Sequence, residues 1–496
     1  MAHSPGEPTP RSAAPDPVPD PSPSAASAAS AMDVHTGDSV FGGAYRALTL
    51  GVLLSVGVVA FESLGVATVL PGIADDLDGL GAYGWGLSAL MLANIIGTVL
   101  AGRVADRLGP WRPMALGTLT LAAGCVVAAA APTWPLFLVG RFCQGLGVGA
   151  VMATAYTVIG LAYPERLRAR MYALLSSAWT IPSLVGPAVA GTLADHTTWR
   201  AVFLAILPII AVAAVLTLPP LRALHRPDGT DVPAPALPWW RRPLGASVLL
   251  TLGTGLFLQA LLLTNAALVL ALAVIGIAVM VPALRWVTPE GTLGARPGLG
   301  AGVTVRALLC GAYFGTEAFL PLGLQDLRGM DATMAGLGLS AGAITWVAGS
   351  ALQARRDARG AGRVAAAISG FAVLLAGVVL IALTTLTDFL PGWTAVLGWA
   401  IGGLGMGVGF NASTTETLGH VPAERQGEAS AALQLAQTFA TAVIAGLGGG
   451  AIALSENHGT SLRTALLVVF VLTGLLAVGG MLISHRLRPA ANRSTS

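Results

Sequence analysis

The chain is expected to be an all-α integral membrane protein. It should have two six-helix bundles with a two-helix hairpin inserted between them, fourteen transmembrane helices in all. Three features point there: a shortage of charge, a train of apolar segments each able to cross a bilayer, and a lopsided placement of arginine. Of 496 residues, 54% are hydrophobic and only 10% charged, with a mean hydropathy of +0.74. A soluble domain carries about 25% charged residues. This chain lacks the polar surface to cover itself in water, so lipid must be its solvent.

Composition also excludes some function classes. The sequence has no Lys, so all 27 basic residues are Arg. A P-loop uses its Lys to reach the β- and γ-phosphates, which rules out a self-contained ATP-driven pump of that type. No cofactor is implied, and the energy source must be a gradient of ions, protons above all, or of substrate. Cys125, Cys143 and Cys310 lie in apolar segments, as small core residues do, and their odd number argues against a disulfide framework. The abundance of Ala, Gly and Arg points to a bacterial source of high GC content.

Residues 1–43 are rich in Pro, Ala and Ser without a sustained apolar run. They read as a disordered cytoplasmic tail and lack the basic start and apolar core of a secretory signal. Met32 is a second candidate start. An N-terminal bundle is expected over 44–220, with spans at 47–72, 82–102, 113–132, 135–161, 171–193 and 201–219, each near the 20 residues that a crossing needs. A Pro-rich linker at 221–243 precedes an uncharged apolar block at 244–284, which is twice the length of one span. With Thr264-Asn265 near its centre, the block predicts a hairpin domain over 244–286. A Gly-rich linker at 287–304 leads to a C-terminal bundle over 305–486, with spans at 305–324, 332–353, 364–386, 392–414, 428–454 and 464–484. Residues 487–496 form a second cytoplasmic tail.

Arginine placement fixes the count. If residue 46 is cytoplasmic, the inner loops carry Arg103, Arg107, Arg112, Arg166, Arg168, Arg170, Arg222, Arg226, Arg241, Arg242, Arg285, Arg296, Arg306, Arg355, Arg356, Arg359, Arg363 and Arg425. The outer loops carry only Arg200, Arg328 and Arg463. Cytoplasmic loops hold the positive excess. The basic stretches before and after 244–284 are then both inside, so the block crosses an even number of times, and both termini are cytoplasmic. Trp134, Trp199, Trp239, Trp240, Trp286 and Trp393 stand at span ends, where an interfacial aromatic belt is expected.

The halves repeat. Leu70-Pro71 with Asp76-Leu77 and Gly79 recurs as Leu320-Pro321 with Asp326-Leu327 and Gly329. Gly145, Gly147 and Gly149 recur as Gly403, Gly405 and Gly407, and Glu165-Arg166 recurs as Glu424-Arg425. Repeats related by an axis along the membrane normal are a transporter signature, with the substrate site at their interface.

Three motifs carry a family resemblance. Gly102, Asp106, Arg107 and Gly109, followed by Arg112, resemble the cytoplasmic G-x-x-x-D-R-x-G signature of the major facilitator superfamily, although Pro110-Trp111 replaces the usual basic pair. Arg141, Gln144 and Gly145 resemble its R-x-x-Q-G pattern. Pro182, Gly186, Pro187 and Gly191 are similar to its antiporter motif, with Pro182 and Ala190 in place of glycines. The resemblance spans roughly 44–486 and implies a major facilitator fold. It also implies Asp106 as part of a conformational latch, Arg141 and Gln144 as functional, and export. An Arg inside a span costs about 2.5–3.5 kcal/mol, and it persists only with a partner or a wet cavity. Ordinary helix packing, a topogenic basic loop and a snorkelling Arg141 are the competing structural readings.

Glu62 and Glu317 are the only acids placed deep in the membrane. Burial disfavours a charged carboxylate, so each could exchange a proton for a cationic substrate, or simply hydrogen-bond a neighbouring helix. The fourteen-helix drug:proton antiporters carry an Asp near this point of helix 1. Here the acid is displaced by one position, and the Thr and Asn of their pattern are missing. All seven His fall in tails or loops, which argues against a His relay. The expectation is a plasma-membrane, monomeric, proton-coupled exporter of apolar or cationic small molecules, with multidrug efflux implied by the resemblance and no nucleic-acid partner. A proton symporter importing a metabolite and a non-transporting receptor or scaffold are the alternatives.

Overall fold

The protein is described by a computed structural model that covers residues 39–488 except 44, 165–166, 168–169, 172–173, 176, 224–237, 361, 423–425 and 458. Most of the N-terminal tail and central linker, together with Glu165-Arg166 and Glu424-Arg425, therefore lie outside the described residues. Among these, fourteen α-helices and no strands are found. They are α1 Arg46–Asp76, α2 Trp85–Leu108, α3 Trp111–Ala130, α4 Trp134–Ala162, α5 Thr180–His196 and α6 Trp199–Ala223. Next come α7 Pro243–Ala260, α8 Ala266–Val287, α9 Leu299–Leu322 and α10 Ala332–Ala358. The chain closes with α11 Arg363–Leu386, α12 Thr394–Gly419, α13 Gln426–Asn457 and α14 Leu462–Ile483.

Among the described residues, thirteen stretches are long and apolar enough to cross a membrane. The remaining helix, α5, is described over 17 residues. The chain is a multi-pass membrane protein. Helix ends follow local chemistry. Asn265 caps α8, its Oδ1 accepting from the backbone N–H of Ala267 at 3.0 Å and Leu268 at 3.2 Å. The turn therefore falls at the Thr264-Asn265 position expected of it. Asp331 caps α10 in the same way, accepting from the Met334 N–H at 2.7 Å. Gly109, at φ +79°, ends α2 in a conformation that other residues rarely adopt.

The helices alternate in direction. The start of α1 meets the end of α4, through Thr49 and Tyr163 hydroxyls 2.8 Å apart. The end of α1 meets the start of α6, where Asp76 accepts from Trp199 Nε1 at 2.9 Å and Arg200 at 3.0 Å. Gly298 N–H, just before α9, donates to Arg486 O beyond α14 at 3.0 Å. Both described ends of the chain thus share one side, here the terminal end; the opposite side is the distal end.

The two glycine runs explain the internal repeat. A Cβ on Gly145 would sit 2.1 Å from Leu90 O and one on Gly149 2.3 Å from Asn94 O, both in α2. Gly147 faces the other way, and a Cβ on it would sit 2.5 Å from Leu121 N in α3. In the second bundle an added Cβ on Gly403 or Gly407 would sit 2.2 Å from Gly342 O or Trp346 O of α10, and one on Gly405 2.4 Å from Leu374 N of α11. Each run clamps one helix between two others by backbone approach, as small residues do in membranes.

Several boundaries differ from expectation. Val40, assigned to the tail, is fully buried, and its carbonyl accepts from the Thr49 hydroxyl at 2.6 Å. The second linker is shorter because α9 begins at Leu299. Arg306, counted among the inner-loop arginines, consequently lies two turns inside α9 and is 4% exposed. Trp134 and Trp199 do not join an interfacial belt. They are buried with Phe137 and Phe203 in an aromatic cluster at the distal end. Trp239, Trp240, Trp286 and Trp393 are exposed, as a belt requires.

Candidate functional site: a buried ion pair beside a closed distal end

Glu62 of α1 and Arg141 of α4 form a direct ion pair with both side chains fully buried. Arg141 lies two turns into α4 and Glu62 about four turns before the end of α1, so the two start from different depths. The structure resolves the offset by the reach of the guanidinium. Its Nε donates to Gly86 O in the first turn of α2 at 2.8 Å, and its Nη1 donates to Gln144 Oε1 at 2.9 Å. Gln144 in turn donates to Cys125 Sγ of α3 at 3.3 Å. Four helices of one bundle therefore converge on one charge pair, and Gln144, one turn beyond Arg141, orients it. Glu62 Oε2 is buried without a partner among the described residues. That oxygen is free to hold a proton or to accept a hydrogen bond from an arriving group.

Glu317 lies in α9 of the other bundle, 8% exposed. None of the described residues gives it a hydrogen bond or an ion pair, and it is not joined to the Glu62–Arg141 pair. The phenol of Tyr83, in the α1–α2 connection, reaches the neighbouring Ala318 O at 3.3 Å. The hydroxyl link ties the first bundle to α9 one residue from Glu317.

The antiporter-like stretch has two faces. Gly186 packs on Phe61, the residue before Glu62, so closely that an added Cβ would stand 3.2 Å from the ring, and Pro182 approaches Gly57. Its other face meets α10: Gly191 abuts Ala332 O (2.4 Å for an added Cβ), and Pro187 O abuts Gly336 (2.3 Å). The stretch thus bridges the helix of Glu62 and the opposite bundle. Of the latch motif, Gly102 borders open space and Arg112 is exposed. Asp106 and Arg107 sit on the last turn of α2, but their side chains lie outside the described residues.

The distal end is closed. Besides the α5–α10 contact, Gly84 packs against Ala445 O and Gly449, and the Ser88 hydroxyl donates to Ala442 O at 2.8 Å, joining α2 to α13. Gln325 donates to Thr68 O at 3.0 Å, and the Thr333 hydroxyl donates to Asp195 at 2.6 Å. A shallow cleft of about 490 Å³ remains there, bordered by Asp76, Asp195, Arg200, Gln325 and Asp331. The inserted hairpin reinforces the closure. Thr251 of α7 donates to Leu92 O of α2 at 3.1 Å, while Leu258 fills the notch at Gly446 of α13. None of these cross-bundle ties was foreseen, because single Ser, Thr and Gln residues in apolar helices carry no distinguishing pattern.

Comparisons with known proteins agree with this architecture. The sequence profile of the Major Facilitator Superfamily matches residues 52–445. A probable multidrug-efflux transporter of Mycobacterium tuberculosis (strain H37Rv) is 26% identical over 458 residues, covering 89% of this chain and 94% of the relative. Multidrug resistance protein 3 of Bacillus subtilis (strain 168) is 27% identical over 166 residues, 34% of this chain and 32% of that protein. Among solved structures, a bacterial homolog of the human lysosomal transporter Spinster, inward-facing and unoccupied, superposes with a TM-score of 0.64 at 16% identity, covering 91% of this chain and 99% of that one. The peptide transporter PepTSo of the POT family gives 0.65 at 12% identity, covering 88% and 97%. At such identities the structural likeness shows the fold alone.

Proposed function

The chain belongs to the major facilitator superfamily, and from that premise we propose that this secondary transporter exports apolar or cationic small molecules in exchange for protons. The observation that carries the reading is the Glu62–Arg141 pair with its unpartnered carboxylate oxygen. A buried carboxylate beside one guanidinium is poised between two states. Arg141 favours its ionised form and burial favours the protonated one, so it can take a proton when the pair is loosened or when a competing cation leaves. Gly186 and Ala190 pack against α1 around Glu62, with Ala190 Cβ 3.1 Å from the position of a Cβ on Gly65. The same helix meets α10 through Pro187 and Gly191. A change at Glu62 is therefore mechanically close to the contact that closes the distal end.

Positive-inside placement of arginine makes the terminal end cytoplasmic and the closed distal end outer. In this orientation the ties that join the two bundles through Ser88, Gln325 and Thr333 lie at the outer end. Alternating access then requires α2–α13 and α5–α10 to part at their distal ends as the bundles rock. The names of the relatives support efflux over uptake.

The reading is tested with inverted membrane vesicles, whose lumen corresponds to the outside. An acid lumen should drive accumulation of cationic dyes, and collapsing ΔpH with nigericin should stop it. Accumulation driven instead in right-side-out vesicles by an acid exterior would establish symport and refute export.

A further inference from the structure

Arg306 is a second buried guanidinium, and nothing in the pairing of Glu62 with Arg141 uses it. It lies in α9, 4% exposed, with its guanidinium carbon 3.6 Å from the centre of the Phe410 ring, and one Nη donates to the Thr414 hydroxyl. Its Nε has no oxygen or nitrogen partner, and no carboxylate among the described residues pairs with it. Arg141 meets its desolvation with a carboxylate, an amide and a carbonyl; Arg306 has a hydroxyl, the Cys310 thiol one turn on and a ring face. A cation so placed in a membrane bundle is costly without a counter-charge.

The complementary group stands on the same helix. Glu317 is eleven residues on, about three turns and ~16 Å along the axis, and therefore on the same face. One rigid helix cannot bring the two together. Between them lies an aromatic wall. Tyr313, also on that face, stacks on Trp399 at 4.4 Å and meets the edge of Trp346 at 5.3 Å, and Trp346 packs on Phe410 at 5.6 Å. Tyr313 and Trp399 are fully buried, whereas Trp346 and Phe410 remain half-buried. The arrangement is a guanidinium and a carboxyl group, each short of a partner, at the two ends of an aromatic surface.

We propose that this stripe of α9 is a substrate subsite for aromatic amphoteric molecules, with the acidic group of the solute held by Arg306, its ring on Trp346 and Phe410, and its cationic group toward Glu317. The assignment rests on the exporter reading and narrows its substrates from lipophilic cations in general to those that also carry an acid. Arg306 is then a specificity-determining residue and not a topological marker.

A matched pair of dyes tests it. Rhodamine 110 carries a free carboxylate, and rhodamine 123 is its methyl ester. Binding to the purified full-length protein is followed by dye polarisation. A charge-assisted hydrogen bond to the carboxylate should make wild type bind rhodamine 110 at least about tenfold tighter than rhodamine 123. Arg306→Gln should abolish that preference while leaving rhodamine 123 within about twofold, and Arg306→Lys should retain part of it. Should Arg306→Gln not yield monodisperse protein, Thr414→Val, which removes the hydroxyl that orients the guanidinium, is expected to cut the preference at least about threefold. Equal affinity for the two dyes, binding of neither, or a preference untouched by these substitutions overturns the proposal. Transport is scored separately. Preferential binding without ΔpH-driven movement would refute the exporter reading, while ΔpH-driven movement of both dyes without preference would refute only the role of Arg306.

Discussion

Glu62 and Arg141 show how two individually unfavourable residues become acceptable together. Each alone would leave a bare charge among apolar helices; paired, with Gly86 O and Gln144 completing the guanidinium's bonds, they lock α1, α2 and α4 to one another. Breaking a buried pair from one side costs about 3–5 kcal/mol, because the survivor is left uncompensated. Arg141→Gln and Glu62→Ala should therefore each lower the melting temperature of the purified protein. The double variant Glu62→Ala/Arg141→Gln should recover most of the loss, and a double variant no more stable than the worse single one would contradict the pairing. The candidates were legible in the sequence because an acid or a base inside an apolar run is too costly to be kept without a use. Their direct contact was not, since axial depth ignores how far a guanidinium reaches. Arg306 was missed for a related reason: it sits close to a basic loop, and only the true start of α9 shows it to be interior.

Among the helices, glycine decides which pairs touch. The runs at 145–149 and 403–407 were visible as a repeat, and the structure supplies the cause, a three-helix clamp in each bundle. The hairpin was legible, because an uncharged block of double length between two basic stretches must turn back, and Asn265 caps the returning helix. The α5–α10 contact was not legible as an inter-bundle seal, although its glycines and proline were singled out. Gly336 sits so near Pro187 O that a larger side chain cannot be accommodated while the distal end is shut. Gly336→Val should shift the population away from this conformation. Spin labels at His196 and Met334, both exposed near that end, should report longer distances in the variant. An unchanged distance distribution would mean that the α5–α10 contact is not what holds the end closed.

For the whole molecule, the count of fourteen helices follows from charge placement and length, the two constraints a bilayer imposes most strictly. The state in which the bundles rest depends on long-range contacts of small polar groups, which leave no periodic trace in the chain. Orientation can be read with one thiol. With Cys125, Cys143 and Cys310 replaced by Ser, Asn265→Cys at the α7–α8 turn should react with an impermeant maleimide on intact cells. Reaction only after lysis would invert the molecule.

The central claim is that Glu62 couples protons to solute movement, and it is met most directly by comparing driven and undriven transport in one variant. Glu62→Gln keeps the shape and the hydrogen bonds of the carboxyl group but cannot cycle a proton. In proteoliposomes it should lose ΔpH-driven accumulation of dye while retaining dye counterflow with no gradient applied, whereas wild type performs both. Full ΔpH-driven transport by Glu62→Gln, with Glu317→Gln inactive, would contradict the account and move coupling to the second bundle.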